Sequence, residues 1–248
     1  MSGHSKWSTI KRKKEKTDAQ RAKIFTKIGR EITVAVREGG PDPVSNGKLR
    51  DIIAKAKANN VPNDNIDRVI KKAAGETGGA AYEEITYEGY GPSGVAVVVE
   101  ALTDNRNRTA GDMRHYFDKC GGNLGQSGSV GFLFTRQGQL LVETESLPAG
   151  RDEDALMEAA LEAGAIDFLA EEADVLDIRT EPNDLGAVRD TLAEQGYRFA
   201  TCEVAYIPTT TVVLANETDV KNMNKLLDLL DDNDDVQGVW HNWENAEE

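Results

Sequence analysis

The 248-residue chain has 39% hydrophobic residues, two cysteines and a formal net charge of −14. Its longest strongly apolar run, Val95 to Val99, falls far short of the roughly 20 residues that a membrane-spanning helix needs, so no membrane partner is expected. Cys120 and Cys202 form no CxxC pair, which argues against a disulfide scaffold and suits a reducing compartment with both as small core residues.

The net charge conceals a division. Residues 1–75 carry 18 Lys+Arg against 8 Asp+Glu, a net +10, and the other 173 carry 11 against 35, a net −24. A phosphate partner is drawn to one end and repelled by the other, which orients a complex as well as attracting it. Met1 to Lys16 form the most basic stretch, with six Lys or Arg, one Glu and a single Trp. So little apolar surface cannot sustain a fold alone; an arm that orders on a polyanion is expected. Charge at Lys6 and Lys11 leaves no room for the apolar core of a secretory leader, and a cytoplasmic location is expected.

Three helical patterns follow. Ile24, Phe25, Ile28, Ile32 and Val36 recur at three- and four-residue spacing and end at Gly39-Gly40-Pro41. Leu49, Ile52, Ile53 and Ala56 form the second stripe, with Ser45 or Asn46 as its cap; Ile66, Val69, Ile70 and Ala73 form the third. Short amphipathic helices bury such stripes against each other, so a small bundle is expected. The polar faces carry Arg21, Lys23, Lys27 and Arg30, then Lys48, Arg50, Lys55 and Lys57, then Arg68, Lys71 and Lys72. A solvated helix surface is the bland account of such faces. The excess of base over acid, continuous with the arm, favours contact with nucleic acid. A helix-turn-helix fits poorly. The Asn59–Asn63 linker is long for its turn, and Asp64 and Asp67 stand where a reading helix meets bases and phosphates. Backbone and shape recognition fits better.

From Tyr82 the period changes to short β-like runs: strands Glu84–Tyr90 and Val95–Leu102, a helix Thr109–Lys119, and a strand Ser129–Phe134. A second set runs strand Gln139–Glu143, helix Asp152–Ala163, strands Ile166–Ala170 and Val175–Thr180, helix Asp184–Gln195 and strand Arg198–Tyr206. That order is βαββαβ. Strand Thr210–Leu214, helix Val220–Leu230 and strand Val236–His241 close the chain. Joined to the elements from Val95 to Phe134, they give βαββαβ again. The expected class is therefore α+β: a basic arm (1–16), a three-helix bundle (17–78), and two ferredoxin-like modules. The second module (135–207) would be inserted in the first (79–134 and 208–248).

Arg106 and Arg108, between a strand and a helix, have the geometry to clamp phosphate, and Asp104, Asn107 or Thr109 there suit helix capping. The glycine-rich stretch Gly121–Gly128 follows a helix, opens a strand and lacks the P-loop lysine, so a helix C-cap is the better account. Asp231, Asp232, Asp234 and Asp235 lack EF-hand spacing and read as a solvated acidic turn. His4, His115 and His241 are scattered, and no nucleophile elbow or paired catalytic carboxylates appear. No enzyme, metal or cofactor is expected.

Several motifs carry a resemblance: Gly3-His4-Ser5-Lys6-Trp7, Ile10-Lys11, Lys23-Ile24-Phe25, Arg30-Glu31-Ile32, Asn59-Asn60-Val61-Pro62 and Ile70-Lys71-Lys72. Thr103-Asp104-Asn105-Arg106-Asn107-Arg108-Thr109 and Lys119-Cys120-Gly121-Gly122-Asn123-Leu124-Gly125 extend it. The sequence resembles the YebC/PmpR family, specifically to about Phe134 and loosely beyond. That family is described as probable DNA-binding transcriptional regulators, and is similar to the mitochondrial translational activator of cytochrome c oxidase. The resemblance implies a regulator of gene expression, with DNA as partner or, alternatively, ribosomal RNA on a stalled ribosome. The contact residues expected from the sequence are His4, Lys6, Trp7, Lys11, Arg12, Lys13, Lys14, Arg21, Lys23, Lys27, Arg30, Lys71, Lys72, Arg106 and Arg108. The acidic modules are expected to set geometry or meet a protein partner.

Overall fold

The computed structural model describes residues 18–75 and 81–246, with side chains of the first helix from Ala22 onward. Helices α1 (Asp18–Gly39), α2 (Gly47–Ala58) and α3 (Asn63–Gly75) pack as a bundle. Ile28, Ile32, Ala35, Leu49, Ile52, Ala56, Ile66 and Ala73 form its core, the stripes that the periodicity marks. One buried side chain fixes the first corner. Asn46 Oδ1 accepts from Leu49 N at 3.0 Å and caps α2, while its amide donates to the carbonyls of Ala35 (2.7 Å) and Gly40 (2.8 Å) where α1 ends. One side chain thus satisfies an N–H that the start of α2 would leave unpaired and ties it to the end of α1.

The rest of the described chain runs β1 (Glu83–Tyr90), β2 (Ala96–Thr103), α4 (Arg106–Lys119), β3 (Asn123–Leu124), β4 (Phe134–Glu143) and α5 (Glu153–Glu162). Then come β5 (Asp167–Glu172), β6 (Val175–Thr180), α6 (Leu185–Glu194), β7 (Thr201–Pro208), α7 (Glu217–Asp232) and β8 (Val236–His241). The class is α+β, with two four-stranded antiparallel sheets ordered β3-β1-β2-β8 and β5-β6-β4-β7. In the second sheet β4-α5-β5-β6-α6-β7 is the ferredoxin-like βαββαβ path. The first sheet has the same spatial plan, and the second is inserted between its β3 and α7.

The strand assignment of the first sheet needs correction. The inner position expected for Thr210–Leu214 is taken by β1, from upstream. β1 forms a hairpin with β2 paired from Glu83↔Thr103 to Tyr90↔Ala96, whereas the later segment makes a single bridge, Val212↔Trp243. A local hairpin closes with less loop entropy than a strand returning across the insertion. Ser129–Phe134 is not one strand either. Gly128 has a φ of 86°, Gly131–Leu133 is a 3₁₀ turn, and Phe134 already opens β4.

Helices cover one face of each sheet. Val95, Val97 and Val99 meet Met113, Phe117, Met223, Leu226 and Trp243 under α4 and α7. Leu140, Val142, Leu176 and Ile178 meet Leu156, Val188 and Leu192 under α5 and α6. The opposite face of β2 joins the two sheets, where Ala96 and Val98 pack with Val130, Phe134 and Tyr206. Within the second sheet β6 is buried along its length. Asp177 there accepts from Arg179 Nε at 2.7 Å and from Gln139 Nε2 at 2.8 Å.

Candidate nucleic-acid interface

Lys23, Lys27 and Arg30 fall at i, i+4 and i+7 and so share one stripe of α1. The stripe faces the end of α7 and the turn into β8. Lys23 Nζ lies 2.8 Å from Asp232 Oδ1. Lys27 Nζ donates to the Asp231 carbonyl at 2.8 Å, a cation at a helix C-terminus where carbonyls lack intrahelical partners. Arg30 Nη1 donates to the Asp234 carbonyl (2.8 Å) and to Asp235 Oδ1 (2.6 Å), and its guanidinium lies 5.8 Å from the Tyr82 ring centre. The turn read as solvated is therefore a docking element. Its aspartates are contacts of the basic stripe that the sequence reading missed. The signal available was complementarity, four acids within five residues opposite a run of bases.

Asp235 is the fixed point of this contact. Besides Arg30 it accepts from Arg108 Nη2 (2.8 Å), Thr109 Oγ1 (2.7 Å) and Thr103 Oγ1 (3.2 Å), and it is buried. Burial alone would raise its carboxyl. Hydrogen bonds from Arg108, Thr109 and Arg30 outweigh burial and hold it below the ordinary carboxylate range.

Arg106 and Arg108 do not lie in a loop. α4 begins at Arg106, capped by Asn105, whose Oδ1 accepts from Arg108 N at 3.1 Å. The expected caps Asp104, Asn107 and Thr109 are each displaced from that position. Two cations in a first helical turn oppose the helix dipole, and Arg108 is offset by Asp104 (2.9 Å) and Asp235. Those partners raise its affinity for its proton further. Arg106 is exposed.

On α2, Lys48 bridges Glu38 and Glu84, both at 3.0 Å, and Lys55 pairs with Glu31 at 2.7 Å. Lys71 and Lys72 are exposed on α3, as are Arg68, Asp64 and Asp67. His4, Lys6, Trp7, Lys11, Arg12, Lys13 and Lys14 lie outside the described residues, and Arg21 lies in α1 with its side chain outside them. Of the expected contacts, the structure thus gathers Lys23, Lys27, Arg30 and Arg108 around one acidic turn.

The glycine-rich loop also has an internal anion. Glu88 accepts from the backbone N–H groups of Gly128 (2.8 Å), Val130 (2.8 Å) and Gly131 (2.6 Å). Burial works to raise that carboxyl, but these three donors lower it on balance. The amide cluster that would suit a phosphate holds a glutamate of the same chain. Upstream, Gly121 (φ 77°) and the Gly122 N–H to Phe117 carbonyl bond (2.9 Å) close α4 as a C-cap.

Among the described residues no group of three or more His, Cys, Asp or Glu is arranged to hold a metal ion, and no helix is long and apolar enough to cross a membrane. Residues 5–76 match the family model described as the TACO1/YebC protein N-terminal domain, and residues 82–243 match the TACO1/YebC second and third domain. The chain belongs to the TACO1/YebC family. Curated relatives include proteins named "probable transcriptional regulatory protein". One from Caldicellulosiruptor saccharolyticus is 58% identical over 247 residues, covering 100% of both chains. Another, from Acetivibrio thermocellus, is 57% identical over 243 residues, covering 98% of this chain and 99% of its own. Among solved structures, the crystal structure of a conserved hypothetical protein, Aq1575, from Aquifex aeolicus superposes with a TM-score of 0.82. It is 45% identical and covers 92% of each chain.

Proposed function

We propose that this member of the TACO1/YebC family is a non-enzymatic, nucleic-acid-binding regulator of gene expression in the cytoplasm, and that it regulates transcription by binding DNA. The observation that carries this reading is the charge division: +10 on residues 1–75 against −24 on the remainder. The names of the relatives support the regulatory half. Phosphates are engaged by the arm, by exposed α3 cations such as Lys71 and Lys72, and by Arg106. The acidic sheets set the orientation or meet a protein partner.

A second reading, a translation factor on ribosomal RNA, is favoured by one feature. Asp64 and Asp67 are exposed at the start of α3 and repel a base-reading approach, which suits backbone recognition.

Titrating duplex DNA and structured RNA at several salt concentrations tests both. If about five phosphates are neutralised, log K against log salt falls with a slope of about −4.5 for duplex DNA. A salt-independent affinity, or an unchanged one after deletion of residues 1–16, refutes the phosphate grip. Footprinting on promoter DNA against co-sedimentation with ribosomes separates the two readings.

A further inference from the structure

The basic stripe of α1 already has an occupant, and its contact with that occupant has two unlike halves. Around Arg30 it is closed: the Arg30 and Asp235 side chains are 20% and 5% exposed, and Asp235 is tied by Arg108, Thr109 and Thr103 as well. Toward the start of α1 it is open. Lys23 and Asp232 are 40% and 65% exposed, and Lys27, half-buried, holds a backbone carbonyl. Exposed ion pairs contribute little and are screened by salt. A phosphate backbone offers many oxygens in a row and gains by releasing counterions. Exchange is therefore feasible at the open half and costly at the closed one.

We propose that Asp231 and Asp232 stand in for backbone phosphates on Lys23 and Lys27, and that a bound nucleic acid displaces them while Arg30 and Asp235 keep α1 hinged to the first sheet. This rests on the nucleic-acid reading above and adds the α1 stripe as a further, regulated contact. The protein carries its own competitor, which fends off weakly charged ligands and yields to a dense polyanion. The carbonyl of Asp231 and the carboxylate of Asp232 supply oxygens at 2.8 Å from the two ammonium groups. That is the distance a charge-assisted phosphate contact would have.

The full chain tests this by treatment with a water-soluble carbodiimide. The reagent joins Lys23 Nζ to the Asp232 carboxyl carbon as an amide, and takes up the lost water as a urea. The yield of that cross-link is read by peptide mass spectrometry, with and without saturating duplex DNA or an RNA hairpin. Lys55–Glu31, also paired at 2.7 Å, serves as the internal reference. The Lys23–Asp232 yield is expected to fall several-fold on binding while the reference holds. Asp232→Asn is expected to raise affinity about two- to five-fold at low salt, the range an exposed pair supports, and to steepen the salt dependence. Nucleic acid that binds without lowering the Lys23–Asp232 yield overturns the exchange and leaves the reading above intact. Binding to neither nucleic acid at any salt overturns both.

Discussion

Asp177 and Asp235 are both buried carboxylates bonded to arginine, yet they answer to different parts of the molecule. Asp177 is served from within its own sheet, by Arg179 two residues along β6 and Gln139 on the neighbouring β4. Asp235 is served from three elements: Arg30 of α1, Thr103 of β2, and Arg108 and Thr109 of α4. The first pairing belongs to one strand pair. The second joins the helical bundle to the first sheet. A buried pair within one sheet can be replaced by apolar groups of similar volume in two substitutions, whereas replacing the hub means changing partners on three elements at once.

The sharpest way to break this comparison is Asp177→Ala, which leaves Arg179 buried without its carboxylate. A loss of about 3–5 kcal/mol is expected by denaturant unfolding. The double replacement Asp177→Leu with Arg179→Met should recover most of that loss, since both charges then leave together. Asp235→Asn keeps the shape but removes the charge that Arg30 and Arg108 share. About 2 kcal/mol should be lost, and carbodiimide cross-linking of Lys23 to Asp232 should weaken because the hinge loosens.

Acid sharpens the difference. The folded carboxyls of Asp235 and Glu88 sit below their ordinary values, so the unfolded chain binds more protons. Their stabilisation is present above the unfolded values and is lost as pH falls through the folded ones. Asp235→Asn should flatten the acid limb of a stability-against-pH curve, and the Asp177→Leu, Arg179→Met double variant should leave the Asp235 and Glu88 part of it in place. The smallest effect is expected at Lys48→Ala. Its bridges to Glu38 and Glu84 are exposed, and less than about 1 kcal/mol should be lost, less still in high salt.

How much of this was legible in the sequence varied with the distance between partners. The bundle stripes and the second sheet follow from local periodicity, because each strand there pairs within a contiguous segment. The first sheet was legible in its outline only. Thr210–Leu214 has the composition of a strand, but its expected place is filled by β1, whose hairpin with β2 needs only a short turn. Ser129–Phe134 looks extended in one dimension, and three backbone amides turned toward Glu88 bend it. At the candidate interface, the bases of α1 were visible as bases. Their partners lie 204 to 209 residues away along the chain, and periodicity carries no information over that span. The totals of +10 and −24 were read as drawing a phosphate partner to one end, and they carry no information on where the two regions touch each other.

The insertion has a consequence for biosynthesis. A nascent chain emerges N-terminus first, so β2 appears long before β8, the strand that pairs with its outer edge. β4 to β7 are released in between and can complete their own sheet meanwhile. During that interval the β2 edge stands open to any passing strand, a known hazard for aggregation. Asp235 arrives just ahead of β8, so the hub for Arg30 and the missing edge strand reach the exit tunnel almost together.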